Sequence, residues 1–377
     1  RVDVKQADLA YLTEILKGLG TSSATSYTGS FSMQSEIRKA ADNAISSNGK
    51  LVMRNATVNG RSVSSDDISL DWSELSLAPS THELKLKTAY LASAIARVSL
   101  NQADLRTGTP FSAAGGVEGN ADLAEVLSIL SSMTGKDKPP AIAGQLAFKG
   151  QCQSAANRVQ LNSNWNIDNF EVGSGTQTIR EKQVRLTADS TFDRAQDLLD
   201  IAQLQLDSRL LGIKLNGRIS EVSTIRRLAL KGEYSGSWDA ITTLLHELAP
   251  ATTETVILTG NTGSRFEITG TAYQPTMNPV YEDVTTSGLG LGWGSARIGG
   301  VDMSKAMLTP TLRQGTIQIP MTVIPSALGQ IRLGGLIDLR PTNPTYILKE
   351  KTQILENVKV TPEMGKQLLS RINPLFG

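Results

Sequence analysis

The stretch Leu204-Gln-Leu-Asp-Ser-Arg-Leu-Leu-Gly-Ile-Lys-Leu-Asn216 determines the fold class that we expect for this chain. Leucine alternates with glutamine at its beginning, and apolar residues alternate with lysine from Ile213 to Leu215. This period of two is typical of an antiparallel strand with one dry face and one wet face. The alternation recurs at residues 84–88, 266–268, 289–291 and 317–319. The sequence therefore predicts a mainly β protein.

The stretch also has a counterpart 115 residues earlier in the chain. When residues 91–101 are placed over residues 206–216, the apolar positions of the two segments coincide. A second pattern recurs at a similar offset, an apolar stripe at i, i+3, i+6, i+7 and i+10 that is typical of one face of a helix. The stripe occurs in Asp8–Leu19, Asp122–Met133 and Ser237–Leu248, each opening on a residue able to cap a helix, and a looser copy begins at Thr361.

We therefore predict a mainly β architecture with short helices (α+β), an elongated array of antiparallel β units of about 115 residues with one short helix in each unit. The units are expected at residues 1–120, 121–236 and 237–377, and the last includes the start of a fourth helix. Leu16, Leu130 and Leu245 of the recurring helices are expected to be buried under the sheet. Further helices are predicted near Glu36–Ser46 and Phe192–Leu199.

Composition limits the chemistry that we expect. The 377 residues include 37 basic and 36 acidic side chains, so the formal net charge is +1. A nucleic-acid partner is not expected, because binding to phosphates needs an excess of positive charge. Two histidines and one cysteine are too few for a zinc cluster or a disulfide framework. We predict no catalytic residue, no metal and no cofactor, and therefore a protein that is not an enzyme.

We interpret the residues that could take part in binding or catalysis as structural. The run Gly288–Gly294 lacks the Lys-Ser/Thr of a P-loop, and its alternation predicts a strand. His246 is interpreted as a surface residue, Cys152 as a small and partly buried thiol, and Asn55-Ala-Thr57 as a chance glycosylation sequon. Carbohydrate binding is not expected, because aromatic residues make up only 5% of the chain. Six acidic residues are interpreted as part of a solvated face: Asp66, Asp67, Asp71, Glu74, Glu282 and Asp283.

The ends of the sequence predict a segment of a longer protein. The chain opens on Arg1 without a signal peptide, and no stretch approaches the ~18 consecutive apolar residues of a membrane span. Any membrane anchor or export signal is therefore expected outside this segment.

Two stretches resemble a known family. The capped Leu/Ile-rich helix at residue 122, followed by the strand pattern Ile142-Ala-Gly-Gln-Leu-Ala-Phe-Lys-Gly150, resembles the repeats of AsmA-like and TamB-like proteins. Residues 205–377 resemble more closely the large exported AsmA-like proteins of planctomycete-type bacteria. The segments that carry this second resemblance are Leu291–Ala296, Leu312–Ile317, Ile331–Leu339, Val358–Met364 and Asn373–Leu375.

The resemblance implies a long β-sheet curled into a groove, in a periplasmic or cell-envelope protein that handles lipid. Lipid acyl chains are the partners that it implies, and no individual binding residues follow from it. Two other functional classes are weighed against it. A structural repeat rod, or a protein-interaction module without a ligand, would cover its apolar faces with its own residues. An enzyme is the least favoured, because no set of nucleophile, base and acid can be assembled.

Overall fold

A computed structural model gives the fold of this chain. It describes residues 1–9, 11, 27–39, 44–58, 60–62, 66–107, 112–134, 141–174, 177–239, 241–242, 256–272, 283–298, 301–326, 329–340, 345–348, 352–359 and 361–366. The structure is mostly antiparallel β-sheet, which confirms the prediction of a mainly β chain. The α+β class and the repeat of about 115 residues stay predictions. Two compact units are present: residues 1–173 with 180–194, and residues 174–179 with 195–377.

The first unit is an antiparallel meander in which almost every strand pairs with the next one along the chain. The exception is β4, a short strand on β3, so that β3 pairs with β5. Its strands are β1 (Val2–Asp8), β2 (Tyr27–Lys39), β3 (Ile45–Val58), β4 (Arg61–Ser62), β5 (Ile68–Ala78), β6 (Glu83–Ala92), β7 (Ala96–Arg106), β8 (Ser112–Asp122), β9 (Ala141–Ala155), β10 (Arg158–Ser174) and β11 (Gln177–Asp193).

Helix α1 (Leu123–Thr134) is inserted between β8 and β9. The Asp122 carboxylate accepts hydrogen bonds from the backbone N–H groups of Ala124 and Glu125 at 3.0 and 3.2 Å, as expected for an N-cap. The helix lies on β9, contacts β8 and also reaches β3. Since four strands separate β3 from β9 in this sheet, one short helix can touch both only if the sheet is curled.

Beta-bulges contribute to this curl, because an extra residue on one strand bends it and increases its twist. Two of the bulges are built alike. Gly29 on β2 (φ +125°) lies opposite Asn55 on β3 (φ +50°), and Gly144 on β9 (φ +137°) lies opposite Asn169 on β10 (φ +51°). Asparagine tolerates this left-handed backbone better than most residues, and glycine adopts it without strain.

The second unit contains a meander and a smaller sheet. The meander has the order β12-β13-β14-β16-β17, and the smaller sheet has the order β15-β19-β20-β23-β24-β25, with β22 on β23 and β26 on β24. A separate pair is formed by β18 and β21. The strands are β12 (Leu198–Asp207), β13 (Leu211–Ser220), β14 (Arg227–Ser237), β15 (Val256–Thr259), β16 (Asn261–Thr271), β17 (Val284–Ser287), β18 (Leu291–Trp293), β19 (Ser295–Ile298), β20 (Val301–Met303), β21 (Ala306–Leu308), β22 (Thr311–Arg313), β23 (Thr316–Ser326), β24 (Gly329–Asp338), β25 (Thr345–Ile347) and β26 (Leu355–Glu356).

The buried core of the second unit lies at the smaller sheet. Ile324 and Ile331 are directly paired across β23 and β24 and are fully buried, as are Val301 and Met364. Met364 belongs to helix α2 (Pro362–Met364), which Thr361 caps through a 3.2 Å hydrogen bond from the Met364 N–H to its hydroxyl. Trp293 is buried in the same cluster, and its indole N–H donates to the Ser304 carbonyl at 3.0 Å.

Two of the predicted helices are wrong. Residues near Glu36–Ser46 form the end of β2 and the start of β3, and residues near Phe192–Leu199 form the end of β11, a turn and the start of β12. Both segments contain good helix formers, but each joins two neighbouring strands whose pairing satisfies its backbone. Lys39, for example, is paired directly with Ile45. Sheet pairing therefore overrides local helix propensity here.

The predicted burial of Leu130 is also wrong, since 48% of this residue is exposed. The half-buried positions of α1 include Leu123, Val126, Leu127 and Ile129. A short helix on a single sheet gives only two layers, so its apolar stripe is covered from one side. Leu16 and Leu245 lie outside the described residues, as do most of the first and third recurring helices.

Several local features recur at the predicted offset. Ser93 and Ser208 each open a hairpin turn, in which the serine hydroxyl accepts from the backbone N–H three residues on, at 3.1 Å from Ala96 and 3.0 Å from Leu211. The Asp122 N–H donates to the Ile95 carbonyl, and the Ser237 N–H donates to the Leu210 carbonyl. These matched turns lie in the segments that the sequence aligns.

Candidate functional site

The candidate site is the apolar face of the sheet in the first unit. One row of directly paired residues crosses seven strands, from β3 to β10. Every side chain in the row is apolar, and the single gap is a glycine. The row consists of Leu51, Leu70, Leu91, Val98, Gly119, Phe148 and Trp165.

The last two members of the row form its aromatic end. Phe148 and Trp165 are stacked, with ring centroids 5.4 Å apart and an interplanar angle of 25°. Gly119 lies beside them, and a larger residue would not fit there, because a Cβ atom at this position would come within 3.0 Å of the Phe148 ring. Trp165 is 41% exposed, and Leu161 on the same face of β10 is 45% exposed. Apolar surface is therefore accessible at this end of the row.

Burial along this face is incomplete. Leu70, Leu91, Val98 and Phe148 are half-buried, whereas Ile324 in the core of the second unit is fully buried. Helix α1 lies over β9 and β8 as a second layer, and buried Leu9 belongs to a cluster against which Leu91 of the row packs. Apolar surface left in contact with water costs roughly 25 cal/mol per Å², so this face has a physical reason to bind apolar groups.

The opposite face of the same strands is charged. Lys50 and Asp71 are paired across β3 and β5 with a nitrogen–oxygen distance of 3.4 Å, and Glu118 and Lys149 are paired across β8 and β9 at the same distance. Glu83 lies beside Arg106 and Lys85, and hydrogen bonds from these two cations lower the pKa of its carboxyl group. Paired charged side chains thus occupy one face of these strands, and apolar side chains occupy the other.

The meander of the second unit repeats this division of faces. Leu204, Leu215 and Phe266 share one face, with Gly232 between the last two. A Cβ atom at Gly232 would lie only 2.6 Å from the Phe266 ring. On the other face, Glu233 lies 3.3 Å from Lys214 and 3.9 Å from Arg265.

The acidic residues singled out in the sequence do not come together. Asp67 lies 3.1 Å from Arg54, Asp71 pairs with Lys50, and Glu74 pairs with Lys87 at 2.5 Å. Each carboxylate therefore has its own cation. Within the described part of the chain, no three His, Cys, Asp or Glu side chains are arranged as metal ligands. Glu282 lies outside the described residues.

The remaining sequence candidates occupy structural positions. Cys152 is half-buried on β9, directly opposite Gly115 and Leu161. The glycine-rich run forms a strand only at Leu291–Trp293, and before it the Gly290 N–H donates to the Ser264 hydroxyl at 2.8 Å. Asn55 is a bulge residue with a left-handed backbone. His246 lies outside the described residues.

Sequence reasoning missed the residues that shape this site. It identified the alternation but not the register that aligns Val98, Gly119, Phe148 and Trp165. The available signal was the placement of glycines opposite aromatic residues, which repeats at Gly49 with Trp72, Gly119 with Phe148 and Gly232 with Phe266. An aromatic ring that lies over a glycine on the next strand stabilises both strands.

No protein-family model, curated protein or solved structure matches this chain. The resemblance to AsmA-like and TamB-like proteins therefore stays a prediction. Among the described residues, no helix combines the length and the apolar composition needed to cross a bilayer.

Proposed function

We propose that the apolar face of the curled sheet binds lipid acyl chains, and that the chain is a non-enzymatic segment of a larger envelope protein. One observation carries the proposal: a continuous row of apolar side chains ends in a stacked aromatic pair whose Trp165 is 41% exposed. The charged face behind it makes this side the preferred one for an apolar ligand. A periplasmic or envelope location and membership of the AsmA/TamB group belong to the same proposal.

The chemistry of an acyl chain fits such a surface. Its binding needs dry, non-directional contact, and each buried methylene contributes about 0.8 kcal/mol. A curled face supplies contact from more than one side without any polar group. Handling of lipid, by storage or by passage along the sheet, requires no nucleophile and no general base.

The test is lipid analysis of the purified protein and of two matched variants. Val98→Asp places a carboxylate on the apolar face of β7, and Ser99→Asp places the same group one residue away on the charged face. We expect solvent extraction and mass spectrometry to find phospholipid or fatty acid in the parent protein. Val98→Asp should retain about tenfold less, corresponding to about 1.4 kcal/mol, because its charge must be desolvated against the ligand.

Ser99→Asp should retain lipid at the parent level, and circular dichroism should show that both variants are folded. The proposal would be wrong if the parent protein carried no lipid and bound no added fatty acid. Equal lipid content in the two variants would also contradict it, because the apolar face would then not be the site.

One observation favours a second candidate, a structural rod whose faces are covered by its own residues. Helix α1 lies on β9 and reaches β3, so it occupies part of the space that a ligand would fill. In this alternative the helices replace lipid as the second layer. Absence of lipid together with full protection of the apolar face from a soluble carbene label would favour it.

We also propose that the chain is an array of related units of about 115 residues. The paired bulges at Gly29 with Asn55 and at Gly144 with Asn169 support this, since they recur at offsets of 115 and 114 residues. The Ser93 and Ser208 turns support it as well. An array of this kind would extend one apolar face from unit to unit.

A further inference from the structure

A cavity of about 420 Å³ lies on the charged face of the first unit, over β7, β8, β9 and β10. Carboxamide side chains dominate its walls, and none of them is hydrogen-bonded to another group of the described residues. The six carboxamides are Asn101, Gln102, Gln151, Gln153, Gln160 and Asn162.

The floor of this cavity is a glycine. Asn101, Gly116, Gln151 and Asn162 lie directly opposite one another on the four strands, so the row of amides has one gap, at Gly116. A Cβ atom at Gly116 would meet no atom closer than the Gly150 carbonyl oxygen at 3.8 Å. Neither packing nor backbone conformation therefore requires glycine at this position, and its effect is to keep the cavity open.

Some amides outside the cavity on the same unit have side-chain partners. The Gln145 side chain donates to Asp122 at 2.8 Å, and both Asn166 and Gln183 donate to Asp168, at 2.9 and 3.0 Å. Gln34, Asn120 and Asn169 of the same unit also have no side-chain partner among the described residues, so what distinguishes the cavity is that six such amides lie together. Asn101 and Asn162 are half-buried and the other four amides are exposed. Hydrogen bonds from a ligand would replace those that the amides make to water, and each exchange contributes a modest net free energy.

The cavity carries almost no net charge. Its charged lining residues, Glu118 and Lys149, are paired with each other at 3.4 Å. Carboxamides offer both donors and acceptors without charge, which matches hydroxyl groups that also donate and accept. Tyr90, 40% exposed, lies on the same charged face, in one register row with Ser99 and Glu118.

We propose that this cavity binds a neutral saccharide, with its ring over Gly116 and its hydroxyls bonded to the surrounding amides. Pockets of roughly 300–1,000 Å³ hold small molecules, so this one accommodates about one or two sugar rings. The inference runs against the expectation, drawn from composition, that carbohydrate binding is absent. It is independent of the lipid proposal, because the two sites lie on opposite faces of the same strands.

The test is a binding titration with maltotetraose and with chitotetraose, followed by saturation-transfer NMR and calorimetry on the full chain. Gly116→Val should fill part of the cavity with its side chain, and Gln151→Ala should remove one of the amides that line it. We expect at least one of the two saccharides to bind the parent protein, and each variant to bind it about tenfold more weakly. Gly116→Val occupies space that the sugar ring needs, and Gln151→Ala removes one or two hydrogen bonds. Gln205→Ala, which removes an exposed amide of the second unit, should bind as the parent does.

Gly116→Ala provides a variant whose fold is preserved, because its methyl group meets only ordinary contacts. It should keep the parent melting temperature and still weaken saccharide binding. The proposal would be overturned if neither saccharide bound the parent protein, or if all variants bound the saccharide equally. Binding of tetra-alanine in place of the saccharides would overturn it too, since the amides would then recognise a peptide.

Discussion

Gly119 illustrates how single residues set the packing of this sheet. A Cβ atom there would lie 2.4 Å from the Arg97 carbonyl oxygen and 3.0 Å from the Phe148 ring. Replacement of a strand glycine by alanine usually gains about 0.5–1 kcal/mol, because glycine loses more freedom on folding. At this position the clash with fixed backbone should dominate.

We therefore expect Gly119→Ala to lower the free energy of unfolding by about 1–3 kcal/mol, the usual cost of overpacking. Gly116→Ala, three residues away on the same strand, should be neutral or slightly stabilising because its nearest contact is at 3.8 Å. Urea denaturation of the two variants makes the comparison. Equal stability of the two would show that the sheet yields at Gly119.

Asp338 gives a prediction about pH. Its carboxylate accepts two side-chain hydrogen bonds from Arg340, at 2.7 and 2.8 Å, and these bonds lower its pKa from 3.8 to about 2. A lowered pKa in the folded state stabilises the fold above the unfolded pKa, and this contribution disappears as the pH falls through the folded value. Asp338→Asn should therefore melt below the parent protein at neutral pH.

The difference in melting temperature between the parent and Asp338→Asn should shrink as the pH falls from about 4 to about 2. In an Arg340→Ala background the same substitution should produce a smaller difference at neutral pH. A difference that stayed constant with pH would mean that the ion pair does not contribute.

At the scale of the element, α1 is a helix covered on one side. Since Leu130 is 48% exposed, Leu130→Asp should cost about 1 kcal/mol or less, within the range of surface substitutions. Leu127→Asp, at a half-buried position, should cost more. Thermal melts of the two variants compare them, and a loss of several kcal/mol in Leu130→Asp would mean that the helix packs more deeply.

Prediction from sequence succeeded for strands and failed for their ends. Period-two alternation is a property of one strand, so Ile213-Lys-Leu215 was recognisable without its neighbours. The segments at 36–46 and 192–199 failed because their helix propensity is overcome by pairing with distant strands. The alternation was sufficient to predict that the sheet has one apolar face. The register that joins Val98 to Gly119 and Phe148 depends on hairpin turns and bulges, which local composition does not encode.

At the scale of the molecule, each unit combines long strands with little second-layer cover. In the first unit the described buried apolar residues are few: Leu9, Ala56, Ile68, Leu86 and Ala121. In the second unit the smaller sheet has its own compact core around Ile324 and Ile331. The amide-lined cavity was not predictable at this scale, because its six amides belong to three strands whose alignment only the folded sheet provides.

The cross-strand ion pairs have a consequence for how the chain reaches its native alignment. If β14 slid by two residues along β16 in one direction, Lys231 would face Arg265, and in the other direction Glu233 would face Glu267. A two-residue slip of β13 along β14 would bring Lys214 opposite Lys231. Like charges directly opposite are destabilising, and a slip by one residue would turn charged side chains onto the apolar face. The cross-strand ion pairs thus favour the native register of these hairpins over registers shifted by one or two residues.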